Sequence, residues 1–169
     1  MESSTEERSK STNQTQMYYA CRDYDAARRA YLNAIKYAEE NDNILRDLSQ
    51  LQIHLRDFQG YEESRNKMLM QKPSLISNWV HLAAASYVNR NYHGSLNCIE
   101  SIFKFAEDTG MKMKPHEVSE VILLAIRNHE CLGQYKEALV LYNEKKNAII
   151  DMISSKDYEG RLYFKTGNA

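Results

Sequence analysis

The sequence predicts an all-α protein, on three observations. Glycine and proline are scarce, 6 and 2 among 169 residues, so few positions interrupt a helix. The alternation of apolar and polar residues that a strand needs is nowhere sustained between turn signals. Apolar residues recur instead at helical spacing, as Leu45, Leu48, Leu51 and Leu55 do, which gathers them into one stripe. Length is that of about one domain, and 43% apolar against 27% charged residues is an ordinary globular balance.

A repeat organises these helices. Tyr24, Phe58, Tyr92 and Tyr135 each precede a helical stretch and lie 34, 34 and 43 residues apart. The first two intervals match the tetratricopeptide period of about 34 residues, in which each repeat is a pair of antiparallel helices. The predicted architecture is therefore a tetratricopeptide-repeat α-solenoid, a segment of a right-handed superhelix of stacked helix pairs.

Taken in order, residues 1-16, "MESSTEERSKSTNQTQ", hold no apolar residue after Met1 and predict a disordered polar tail. The array is expected over 17-169. Residues 22-40, with Tyr24, Ala27, Tyr31 and Ala34, read as the second helix of a unit. The first full repeat, about 42-75, carries Leu45, Leu48, Ser49 and Pro73, and its hairpin is expected to turn near Asp57 to Gly60. The second, 76-118, carries Trp79, Leu82, Ala83 and Ser95. The third, 119-152, carries Ile122, Ala125, Ala138 and Tyr142. Small residues fall where two helices must approach closely. The long last interval implies an insertion within 107-116, where Gly110 and Pro115 oppose helix continuation, so a loop or a lengthened helix end is expected. Residues 155-166 read as the first helix of a further unit.

Charge and motifs exclude more than they propose. The formal charge is −1, and 20 basic residues face 20 acidic ones outside the polar start, so no global field draws the chain to nucleic acid or an anionic membrane. No apolar run is long enough to predict a membrane span or a secretory leader. Cys21, Cys98 and Cys131 lack CxxC spacing and read as reduced core thiols of a cytoplasmic protein. The five histidines show no HExxH or paired ligand spacing, and no phosphate loop or nucleophile elbow occurs. Neighbours His129, Glu130 and Cys131 diverge by about 100° around a helix and cannot serve as a Cys-His dyad. Expected catalytic residues, metal ligands and cofactors are therefore none, and the chain reads as a non-enzyme.

What remains is surface. In tetratricopeptide arrays the first helices line a groove, which the resemblance places at Asn43, Arg46, Gln50 and Ile53, at Ser77, Val80, Ala84 and Tyr87, and at Glu120, Leu123, Arg127 and Glu130. The partner-contact candidates are Arg46, Gln50, Val80, Tyr87 and Arg127, since arginine and tyrosine are enriched at binding hot spots.

A narrower resemblance rests on "NILRDLSQLQIHLRDFQGYEESRNKMLMQKPSLISNWVHLAAASY". The run with Leu45, Arg46, Asp47, Leu48, Leu51, Gln52, Ile53, Arg56, Asp57, Gly60, Tyr61 and Arg65, then Pro73 and Trp79, resembles the amino-terminal tetratricopeptide region of the auxiliary subunit of the N-terminal acetyltransferase A complex. Gly60-Tyr61 sets a bulky residue where the repeat consensus has alanine. The resemblance spans about residues 22-155. It implies a non-catalytic scaffold whose partners are an acetyltransferase catalytic subunit and the ribosome, serving acetylation of nascent-chain N-termini. No acetyl-CoA loop of the Q/R-x-x-G-x-G/A kind is present. The alternative is a generic tetratricopeptide peptide-binding adaptor. A clamp for a chaperone tail would need Lys, Asn and Arg at set groove positions, where Arg46 suits but Gln50, Glu120 and Leu124 do not.

Overall fold

The computed structural model describes residues 22–37, 42–110 and 112–167. The expected polar tail at 1-16 and Cys21 lie outside them. Every regular element among the described residues is helical: α1 (Tyr24–Tyr37), α2 (Asp42–His54), α3 (Phe58–Gln71), α4 (Ile76–Val88), α5 (Tyr92–Thr109), α6 (Pro115–Cys131), α7 (Tyr135–Lys145), a 3-10 turn (Lys146–Ala148) and α8 (Met152–Thr166). The chain divides into two compact units, Met1–Asn78 and Trp79–Ala169.

In the first unit, α1 and α3 both pack on α2. Ala27, Tyr31 and Ala34 of α1 meet Ile44, Leu48 and Leu51 of α2 in one apolar cluster. The spacing of three to four residues on each helix is what lets the two stripes interlock. Ser49 and Ser64 are buried with them. Ser49 donates its hydroxyl to the Arg46 carbonyl at 2.7 Å, and Ser64 donates to the Gln52 side-chain carbonyl at 2.8 Å.

The first hairpin turns at Leu55, Arg56 and Asp57, not as far along as Gly60, which lies inside the first turn of α3. The reason is a cap: Asp57 accepts the Gly60 amide at 3.1 Å, satisfying a donor that the helix start leaves open. Glycine is needed there because a Cβ at Gly60 would stand 2.6 Å from the Gln52 side-chain nitrogen and 2.6 Å from the Asp57 carboxylate. Arg28 lies 3.1 Å from the same carboxylate as an ion pair without the alignment of a hydrogen bond. At the other end of α3, Lys72 leaves the helical region, with φ −136° and ψ 72°, just before Pro73, which disfavours helix in the residue preceding it. Asn78 then donates to the carbonyls of Met68 and Lys72 at 3.2 and 3.1 Å.

In the second unit the extra residues of the long interval lengthen both helices beside it. α5 runs 18 residues and α6 17, against 14 for α3 and 13 for α2. Gly110, with φ 66°, closes α5, and Pro115 occupies the first position of α6, where its missing amide costs nothing. Ser95 of α5 donates to the Ala83 carbonyl of α4 at 2.8 Å and accepts from the fully buried Asn128 of α6 at 2.9 Å. This is the close helix contact that small residues permit. A second cluster joins Ile122 and Ile126 of α6, Ala138 and Tyr142 of α7, Ile149, and Tyr158 and Leu162 of α8. The Ile150 amide donates to the buried Ser119 hydroxyl at 3.0 Å, fixing the connector to α6. α8 begins at Met152 because Asp151 accepts the amides of Ile153 and Ser154.

Candidate partner-binding surface

The predicted groove residues separate by environment. Arg46 and Gln50 lie one turn apart on α2, both exposed, with Ile53 exposed a turn further on. Behind Arg46, burial raises the Asp47 carboxyl above its ordinary pKa, while Arg46 and a hydrogen bond with Tyr31 oppose the rise. Val80 is half-buried and packs on the cluster of Ala83, Ile99, Val121 and Ala125, so its side chain belongs largely to the core. Leu123, assigned to the groove by repeat position, is buried in the cluster with Ile149, Tyr158 and Leu162. That cluster is shared by α6, α7 and α8, so the position is taken up by packing between the helices.

Tyr87 of α4 and Arg127 of α6 do come together. They line a recess of about 310 Å³ with Glu130, Cys131, Asp157, Tyr158 and Arg161. Arg127 donates its Nε–H to the Tyr158 hydroxyl, and its guanidinium carbon stands 5.8 Å from that ring's centre. The bond to Tyr158 strengthens the protonated guanidinium. Arg161 lies nearer the same ring, at 4.5 Å, and grips Glu130 through two hydrogen bonds of 3.0 and 3.2 Å. It also pairs with Asp157 at 3.1 Å. Arg127 forms no ion pair among the described residues, so one cation of the recess is left without a carboxylate. Burial, and then the Cys131 thiol beside it, push the Tyr87 hydroxyl pKa up, keeping it a neutral donor.

Sequence reasoning missed Tyr158 and Arg161. The signal was available, since carrying the third repeat's groove positions 34 residues onward lands on Ser154, Asp157, Arg161 and Phe164, and the first three line the recess. Cys131 was expected in the core and is exposed; Cys98 is half-buried. Of the trio on α6, His129 contacts the Gln134 amide at 2.9 Å and Glu130 holds Arg161, so both are engaged structurally. Among the described residues no group of His, Cys, Asp and Glu is arranged to hold a metal ion, and no helix is long and apolar enough to cross a membrane.

A surface of polar and aromatic side chains on tandem helix pairs defines the chain as a helical-repeat protein of the tetratricopeptide class. A tetratricopeptide repeat protein from Parabacteroides merdae superposes with a TM-score of 0.64 at 16% identity, over 95% of this chain and 59% of the other. More narrowly, the chain is a homologue of auxiliary subunits of the N-terminal acetyltransferase A complex. It is 32% identical over 152 residues to the auxiliary subunit NAA15 of Arabidopsis thaliana, a match covering 89% of this chain and 17% of that one. The chain thus spans about a sixth of the relative's length. A chain of a solved structure of Naa15/Naa10 bound to HypK-THB shares the fold, with a TM-score of 0.80 at 24% identity over 91% of this chain and 23% of the other. No family model matches the chain.

Proposed function

We propose that this chain is a non-catalytic scaffold segment that helps hold the catalytic subunit of an N-terminal acetyltransferase and set it at the ribosome in the cytoplasm, where nascent chains emerge. The observation that carries this reading is the 32% identity across 89% of the chain to an auxiliary subunit. It agrees with the chemistry of the recess, where Glu130 and Asp157 are engaged by Arg161. Partner contact is assigned to Arg46, Gln50, Tyr87 and Arg127, with Val80 supporting them from beneath.

The test is affinity purification of the tagged chain from its native cell. Acetyltransferase activity and ribosomes are expected in the eluate, and recovery of neither ends the reading. The purified chain alone, incubated with acetyl-CoA and a peptide beginning with Ser, is expected to give no acetylated product; turnover would overturn the non-catalytic assignment. The generic peptide adaptor stays as second reading because Arg127 and Tyr87 share a recess with an unneutralised cation. It prevails if short peptides are captured while acetyltransferase and ribosomes are absent.

A further inference from the structure

We propose that the cleft between α1 and α3 docks an acidic amphipathic helix of a partner protein. Both helices rest on α2, and between them they leave a cleft of about 560 Å³. Its floor is Leu45, Leu48 and Gln52 of α2, and Leu32 and Ile35 of α1 form an apolar wall. Leu32, a large apolar side chain, is 42% exposed. Opposite, Gly60 contributes no side chain, and the Gln52–Ser64 bond at 2.8 Å holds that amide down among the buried atoms.

The rim is cationic. Arg29 and Lys36 stand two turns apart on α1, and Lys67 lines the α3 side. Among the described residues the one acidic residue in the lining is Glu63, which already accepts a hydrogen bond from Gln59 at 3.2 Å. Neighbouring cations are committed elsewhere, Arg28 to Asp57 and Lys72 to Asp42. None of Arg29, Lys36 and Lys67 forms an ion pair among the described residues. Three uncommitted cations around an apolar strip match the inverse pattern, a helix with an apolar stripe flanked by carboxylates laid into a groove. Nucleic acid fits less well. Single strands bind where cations are interleaved with aromatic platforms, and among the described residues no aromatic side chain lines this cleft. The inference stands on this cleft's own chemistry and holds whether or not the chain holds an acetyltransferase.

The test titrates the full chain by fluorescence anisotropy with a labelled, end-blocked helical peptide of about four turns. Leu at i, i+4 and i+7 forms its stripe and Glu flanks it. A Lys-flanked counterpart and a short uridine RNA are the competing probes. The Glu peptide is expected to bind and the Lys peptide and RNA not to. Reversing Lys36 and Lys67 together to Glu is expected to weaken binding about tenfold, through rim charges that act mainly on encounter and specificity. Leu32→Gln is expected to weaken it about threefold by removing the apolar anchor, and Lys136→Ala, at an exposed position on α7, to leave it unchanged. All four positions are exposed, and unchanged melting curves establish that the variants fold. Absence of binding by the Glu peptide, equal binding of the Glu and Lys peptides, indifference to the Lys36/Lys67 reversal, or RNA binding tighter than the peptide would each overturn the proposal.

Discussion

The turn between α2 and α3 and the turn between α6 and α7 follow one backbone plan with opposite choices of residue. In each, the residue two places before an aromatic has positive φ: Arg56 at 57° in the first, Gly133 at 72° in the second. In each, the next amide reaches back five residues, Asp57 to the Gln52 carbonyl at 2.8 Å and Gln134 to the His129 carbonyl at 2.9 Å, the closure of a Schellman motif. The turn between α4 and α5 sides with the first, with Arg90 at 62° and Asn91 bonded to the Ser86 carbonyl at 2.8 Å. An arginine in the left-handed region is strained by about 1–2 kcal/mol, which glycine avoids. The two arginine turns gain a side-chain cap in return, from Asp57 to Gly60 and from Asn91 to Gly94, at 3.1 and 3.0 Å. Gln134 makes no such bond. Backbone geometry is the common element, and strain and capping are distributed differently around it.

The largest effect is expected where the hairpins depend on small residues. Ser95→Leu must force a larger side chain against Ala83 and remove one of the two acceptors of the Asn128 amide, the other being the Leu124 carbonyl, at a cost of about 3 kcal/mol, read as a lowered denaturant midpoint. Gly60→Ala is expected to cost about 1–2 kcal/mol, because the new methyl presses on a Gln52 amide that Ser64 holds in the interior. Gly94→Ala is the matched control. Its methyl meets only the exposed Asn91 side chain, and a helix-propensity gain of about 1 kcal/mol offsets the disturbed cap, so its midpoint should hardly move. Equal losses at the two glycines would remove the distinction drawn between the hairpins.

Exchanging the left-handed residues tests the comparison directly. Gly133→Arg is expected to lower stability by about 1 kcal/mol, and Arg56→Gly and Arg90→Gly to raise it by about 0.5–1 kcal/mol each. Smallest is a pH effect at Asp47. Burial raises its folded pKa above the unfolded value of 3.8, so the native state binds the proton more readily. Stability is then highest below the unfolded value and falls as pH rises through the folded one. Asp47→Asn should give a small rise in melting temperature at pH 7 that vanishes near pH 3.

Much of the fold was legible because the repeat writes its packing rules into residue size. The small slots at Ser49, Ala83, Ser95 and Ala138 are buried, and Tyr31, Leu48 and Leu51 pack where a 3.6-residue period sets them. Legibility failed where packing departed from the period. Position counting from a fixed period assigned Leu123 to the groove, but it packs into the cluster with Ile149, Tyr158 and Leu162. Gly60 was read as a turn residue because glycine most often signals one, whereas here it clears space for Gln52 and donates its amide to the Asp57 cap. The recess was half visible: Tyr87 and Arg127 were named, while Tyr158 and Arg161 depended on recognising that the last helix continues the same register. Nothing in sequence distance says that Tyr158 takes the Arg127 Nε–H, since that contact is made by helix packing 31 residues apart.

Cys131 is exposed in the wall that Tyr87 and Arg127 share. A thiol-directed, environment-sensitive dye coupled there would be a built-in reporter, its emission shifting when a partner excludes water from the recess. Cys98, being half-buried, should label more slowly, so the native chain already carries a usable optical handle for measuring what occupies that surface.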